Sequence, residues 1–386
     1  MTDLPRVLVV IGTRPEGIKL APVVAALESE RAAIETRVAL TGQHSELLEQ
    51  ALEAFAVRVD WDLGIMREGQ NLYDVVRACL DGLAPVMAEF RPDLVVLEGD
   101  TASVFTGALV AFFERTRVAH VEAGLRSHDK WQPYPEEIFR RLTGIVTDLH
   151  LAPTTDARAN LLAEGVPEAS VYVTGNTVVD AVRQIAARER PIRNAALAYA
   201  LAGGGHLVLV TAHRRESFGE PLREAFGALR ELVERYPNVR IVYPVHPNPN
   251  VRLAARELLG DSDRILLTEP LDYPDLLAAL RHATLVLTDS GGIQEEAPSF
   301  GTPVLVMREV TERPEGVRAG IAKLVGTDRG RILAAAGEVL DRGDGGRIAE
   351  SANPYGDGRA GERIADIIVH ELTGRPRRTR DWDGGP

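Results

Sequence analysis

The stretch "LVLTDSGGIQEEAPSFGTPVLV", residues 285–306, reads as a strand, a turn, a helix start and a second strand. Its first apolar run ends in Asp-Ser-Gly-Gly, two glutamates follow, and Pro298 and Gly301 precede the second run. Apolar residues in succession, rather than in alternation, mark a strand covered on both faces. Such strands joined through a helix build a parallel sheet. Ser290, Gly291 and Gly292 then fall at a helix N-terminus, where free backbone N–H groups favour an anion. Glycine there permits close approach by a diphosphate. Glu296, one to two turns in, is placed to accept from both hydroxyls of a ribose. A plain Ser-Gly-Gly turn before a solvated helix also accounts for the pattern, but Pro298 shows a segment that is not optimised as a helix.

The same alternation runs through the chain. Strands are predicted at 7–12, 36–42, 94–100, 118–124, 149–153 and 171–176, then at 206–213, 239–246, 265–270, 285–291, 303–307 and 322–326. Amphipathic stretches such as 102–114 and 220–236 lie between them. "VLVVIGTRPE" (7–16) and "LVLVTAHRRES" (207–217) resemble each other, and each ends in an Arg-containing loop at a strand's carboxyl end. An open α/β sheet presents ligands at that edge. The fold class predicted is therefore α/β, with two Rossmann-like domains whose parallel sheets face across a cleft. The connection is expected near 175–205, where charge, alanine and then glycine accumulate. Domains are predicted at 1–175, joined by a C-terminal helix 360–374, and at 176–359. The charged, glycine-rich 375–386 is expected to be a disordered tail.

Composition narrows the function. The 386 residues suffice for two domains, and 45% hydrophobic with 26% charged residues is ordinary for a globular chain. A net charge of −12 argues against nucleic acid or an anionic membrane as a partner, though not against small anions in a local positive cleft. Cys79 is the only cysteine, so no intrachain disulfide or Cys-based zinc site exists. The nine histidines include no metal-ligand spacing. Neither a Walker loop nor G-x-G-x-x-G is present, so no cofactor is expected and a nicotinamide has no visible site. The first apolar run is too short for a signal peptide or a span, and a cytoplasmic location is the default expectation.

Residues able to do chemistry gather at the strand ends. Arg14 and Lys19 follow the first strand in "GTRPEGIKLAP", with Pro15 suited to a helix start. Asp100 and Thr101 end "LVVLEGD", where a helix N-cap is the alternative reading. Glu122, in "AHVEAGLRS", has no helix to cap. Glu136 and Arg140 lie four apart on one helix face, beside Glu137 and Arg141. His213, Arg214, Arg215 and Glu216 end one strand of the second half, and His246 another.

Together these stretches resemble the bacterial non-hydrolysing UDP-N-acetylglucosamine 2-epimerase family, from about residue 6 to residue 370. The carriers are "GTRPEGIKLAP", "GQH", "EGDTASVFTGALVAFF", "VAHVEAGLRS", "PYPEEIFRRL", "VTGNTVVDA", "TAHRRESFG", "YPVHPNPNVR", "LDYPDLLAALRHA", "DSGGIQEEAPSFGTPVLVMREVTERPEG" and "ANPYGDG". The resemblance implies a GT-B-like architecture, a homodimer and reversible C2 epimerisation of UDP-GlcNAc to UDP-ManNAc through 2-acetamidoglucal, without NAD. By motif match it implies Asp100, Glu122 and Glu136 as the carboxylates at the sugar. His213 and Lys19 join them in catalysis, and Arg140 orients Glu136. Arg14, Ser290, Gly291, Gly292, Glu296 and Arg313 are implied to bind the UDP moiety. Glu296, five residues before the glycine of a Gly-x-Pro, matches the ribose-binding position of related transferases, which selects it over Glu295. Some members carry a second, activating UDP-GlcNAc site matching Gln43, Glu136, His213 and His246. Here Glu46 replaces a glutamine and Gly69 an arginine, so that site is expected to be weakened.

Other readings are a 2-epimerase for a modified UDP-HexNAc such as an acetamido-uronic acid, or a GT-B-type glycosyltransferase. A hydrolysing epimerase and a non-enzymatic sugar-nucleotide sensor are further ones. Three candidate acid/base positions are more than transfer to an acceptor needs, and a sensor would have lost them.

Overall fold

The computed structural model describes residues 4–42, 46–67, 69–188, 190–212, 219–342, 347 and 353–384. The chain divides into two compact units. One contains the chain up to Ala181 and the segment from Tyr355 onward, and the other runs Val182–Pro354.

The first unit holds a seven-stranded sheet of order β3-β2-β1-β4-β5-β6-β7. Its strands are β1 (Arg6–Ile11), β2 (Glu35–Leu40), β3 (Trp61–Asp62), β4 (Leu94–Glu98), β5 (Arg117–Val121), β6 (Leu149–Ala152) and β7 (Val171–Val173). The second holds a six-stranded sheet of order β10-β9-β8-β11-β12-β13. Those strands are β8 (His206–Thr211), β9 (Val239–Pro244), β10 (Ile265–Thr268), β11 (Leu285–Thr288), β12 (Val304–Val306) and β13 (Ala322–Leu324). Adjacent strands pair in parallel throughout, with Val7 against Thr36 and Leu94, and Leu285 against Val208. Each sheet therefore reverses its strand order once, between β1 and β4 and between β8 and β11. Open α/β sheets bind ligands at such a switch point.

The unbroken apolar strands have the cause inferred from their pattern. Val7, Val9 and Ile11 pack into one core layer, while Leu8 and Val10 pack into the layer on the other face. Fully burying one such side chain is worth about 1.5–3 kcal/mol, so a charge on either face of β1 would unfold the unit.

The helix Ala360–Thr373 packs on the helix Arg14–Ser29, with Ile364, Ile367 and Ile368 in the first unit's core. Close approach needs Gly361, because a Cβ there would lie 2.8 Å from the Pro22 carbonyl oxygen. Its N-cap, Arg359, offers no side-chain acceptor. Asp180 does so instead, accepting from the N–H of Ala360 at 3.1 Å and of Gly361 at 2.8 Å. Burial pushes the Asp180 carboxyl up to about 6 despite those donors.

The expectation of a disordered tail is corrected for residues 375–384. Strand β7 is the sheet's edge, and an open edge leaves backbone groups to be paired. Val173 N–H donates to Asp381 at 2.9 Å, and the Trp382 N–H donates to the Val173 carbonyl at 2.8 Å. The Trp382 side chain is buried. Arg375 and Arg378 bind Glu30, and Arg378 N–H also donates to Asp366 at 2.7 Å. Composition alone misleads here, because Arg375, Arg377, Arg378 and Asp381 meet fixed partners. Among the described residues no helix is long and apolar enough to cross a membrane.

Candidate active site

At the first switch point the chain leaves β1 through Gly12 and enters the helix Arg14–Ser29. Thr13 and Glu16 occupy the spacing of a capping box. The glutamate is turned inward. Its Oε2 accepts from Gly12 N–H at 2.6 Å, and its Oε1 accepts from the hydroxyls of Thr13 at 2.9 Å and Thr101 at 2.8 Å. These donors are neutral and the side chain is fully buried. Desolvation therefore prevails and pushes the Glu16 carboxyl up to about 7.

Three residues on from Glu16, Lys19 is buried with its ammonium hydrogen-bonded to Glu122 and 3.5 Å from Glu98 Oε1. Asn176 Nδ2 donates to the same Glu122 oxygen at 3.2 Å. Glu122 itself sits at φ +63° in the turn after β5, a left-handed conformation that costs a non-glycine residue of order 1 kcal/mol or more. Burial holds Glu98 well above the usual carboxylate range; Lys19 opposes the rise, while Glu122, Glu16 and Asp100 add to it.

Asp100 follows β4 through Gly99, and its carboxylate accepts from Arg140 Nε at 3.0 Å and from a terminal guanidinium nitrogen. Arg140 also donates to Glu137 at 2.8 Å, and Glu137 accepts from Ser127 N–H at 3.1 Å. The helix Glu136–Val146 thus presents half-buried Glu136 in its first turn, beside an arginine fixed by Asp100 and Glu137. The Gly99 carbonyl is 2.7 Å from His120 Nε2, which must carry the proton to donate. Burial lowers His120 to about 4, so the ring is neutral at pH 7.

The second unit's switch point is built differently. Ser290 caps the six-residue helix Gly291–Glu296, and its N–H donates to Thr288 Oγ1 at 2.9 Å. Arg313 lies over this helix start. A Cβ on Gly291 would be 2.7 Å from the guanidinium carbon, so any larger residue must move Arg313. Arg313 donates to Glu295 and to Glu312, each at 2.6 Å, and Arg308 donates to Glu312 at 2.8 Å. Thr311 reaches Gln294 at 2.8 Å, tying the 308–313 loop to the helix. Glu296 is buried at the helix's last residue. A 3-10 turn, Ala297–Phe300, carries the chain through Pro298 to Gly301 at φ +63°.

The structure gathers Lys19, Asp100, Glu122 and Arg140 at one sheet edge, with Arg14 and Glu136 opening the flanking helices. Ser290, Gly291, Gly292, Glu296 and Arg313 gather at the other. His246 is exposed after β9, its Nδ1 accepting from Asn248 N–H at 3.2 Å. Gln43 and His213 lie outside the described residues. Sequence reading passed over Glu16, Glu98, His120 and Asn176. Only Glu16 carried a signal, the Thr-x-x-Glu spacing, and that spacing points to a cap.

A sequence profile for UDP-N-acetylglucosamine 2-epimerase matches residues 25–369. The chain belongs to that family.

The epimerase of Salmonella typhimurium is 47% identical over 371 residues, covering 94% of this chain and 98% of its own. That of Bacillus subtilis is 43% identical over 382 residues, covering 98% and 99%. The solved structure of the Neisseria meningitidis UDP-GlcNAc 2-epimerase, bound to UDP-GlcNAc, superposes with a TM-score of 0.88 at 39% identity, covering 96% and 100%. The epimerase-family match thus extends over both compact units.

Proposed function

We propose that the chain interconverts UDP-GlcNAc and UDP-ManNAc. The carrying observation is the buried Lys19–Glu122 pair beside the Arg140–Asp100 pair, at the switch point of a chain in this family. Inversion at C2 removes a proton from one face and returns one to the other, so it needs at least two acid/base groups. The C2 proton passes to a carboxylate while the C1–O bond breaks toward UDP, leaving a C1=C2 double bond as 2-acetamidoglucal. UDP then adds back at C1, and C2 takes a proton on the opposite face. Asp100, Glu122 and Glu136 are the acid/base set, and a well-placed one contributes about 10²–10⁴-fold.

Lys19 donates to Glu122 and Arg140 to Asp100, so each carboxylate has a cationic partner. Arg14, Arg313 and the 290–292 amides are assigned to the diphosphate, and Glu296 to the ribose. His213 is assigned to the breaking bond. A second nucleotide site using Gln43 and His246 is weakened by Gly69, so the UDP-ManNAc rate curve is hyperbolic and unmoved by trace UDP-GlcNAc.

The assembly is assigned as a homodimer through the first unit's helices. Leu72, Tyr73, Phe112, Phe113, Leu142 and Ile145 are exposed on three helices that pack in succession. Light scattering of Ile145→Asp against the unaltered chain tests this.

The deciding experiment follows UDP-GlcNAc in D₂O by NMR. Deuterium at C2 with both UDP-HexNAc epimers at equilibrium is the expected result. Free ManNAc with stoichiometric UDP would show hydrolysis instead, and absence of exchange would refute C2 chemistry.

A further inference from the structure

Lys19 is shared between two buried carboxyl groups. Its ammonium binds Glu122 and lies 3.5 Å from Glu98 Oε1, and Glu98 is 2% exposed. One ammonium balances one carboxylate; a second ionised carboxylate beside it would be an uncompensated buried charge. Glu122 has the closer contact and the Asn176 amide as a further donor. The charge therefore belongs on Glu122 and the proton on Glu98.

We propose that Glu98 is a positioning residue that works as its neutral acid, leaving Lys19 to Glu122 and so setting that carboxylate's place and basicity. The inference rests on the function proposed above. Charged groups from three elements face Glu98. Lys19 and Glu16 project from the helix Arg14–Ser29, Glu122 from the turn after β5, and Asp100, tied to Arg140, from the end of β4. Glu16, Glu122 and Asp100 act in the same direction as burial and keep the proton on Glu98. As pH rises and Glu98 ionises, it competes for Lys19, so the rate falls.

The test measures kcat and KM across pH 6–10 for the full-length wild type, Glu98→Gln and Glu98→Ala, with a melting curve for each. Glutamine has the shape of the neutral acid and cannot ionise. In Glu98→Gln the alkaline midpoint of kcat should rise by about one pH unit or more. At pH 8 its kcat should exceed that of Glu98→Ala by about tenfold or more, with KM changing by less than about threefold. An alkaline midpoint identical to the wild type's, or equal kcat in the two variants, overturns the proposal. If Glu98→Ala does not fold, the pH profile of Glu98→Gln against the wild type decides alone. A wild type that shows no C2 exchange refutes the proposed function instead, so the two failures read differently.

Discussion

Two sheets of nearly the same strand order carry different pairings of charge at their switch points. In the second unit the arginines are matched to buried carboxylates: Arg313 to Glu295 and Glu312, and Arg308 to Glu312. In the first, Lys19 and Arg140 meet Glu98, Glu122, Asp100 and Glu137, while Glu16 is held by neutral donors. Arginines held in this way suit a fixed, anion-facing corner. A cluster with carboxyl groups in excess must retain protons, because ionising all of them underground in the fold is too costly. The topology is shared; what differs is how the buried charges are paired.

The largest predicted effect tests the proton-handling side. Glu122→Gln keeps the shape of the side chain but removes the base, and kcat for C2 exchange should fall by about 10²–10⁴-fold. A loss confined to KM would place Glu122 in binding and break the contrast between the units. On the anion side, Glu296→Gln should raise the KM for UDP-GlcNAc by about 10–100-fold through weakened charge-assisted hydrogen bonds, with kcat changing much less. Gly291→Ala is gentler. Its methyl group displaces the Arg313 guanidinium, and competitive inhibition by UDP should weaken by about tenfold.

The smallest effect is one of stability. Glu16 has a folded value of about 7, above its unfolded one, so its ionisation costs stability progressively between about pH 4.5 and 7. Glu16→Gln removes that cost. The unfolding free energy of the variant relative to the wild type should therefore climb as pH rises from 5 to 8, by an amount on the order of 1–3 kcal/mol. A difference that stays flat with pH would mean that Glu16 is already ionised and that the excess of carboxyl groups is balanced elsewhere.

Much of this was legible in the residues. Unbroken runs such as "VLVVI" and "LVLT" announce parallel strands because both faces must be apolar, and the ends of those strands located the candidate site. The strand β3 escaped notice because two residues, Trp61 and Asp62, carry no period. The tail was misread because composition reports charge and glycine without reporting partners, and Glu30 and Val173 lie far away in sequence. Glu98 was hidden for a similar reason. At the end of an apolar strand it looks like the first solvated residue, and only folding reveals Lys19, Glu122 and Asp100 around it.

Glu122 is held in the left-handed region, where a side chain works against its own backbone. The consequence falls on anyone selecting for robustness. At this position glycine should outlast alanine on heating by about 1 kcal/mol, the reverse of their ranking in a helix. Either substitution also takes Glu122 away from the buried Lys19 ammonium, so relief of the backbone comes with the loss of an ion pair.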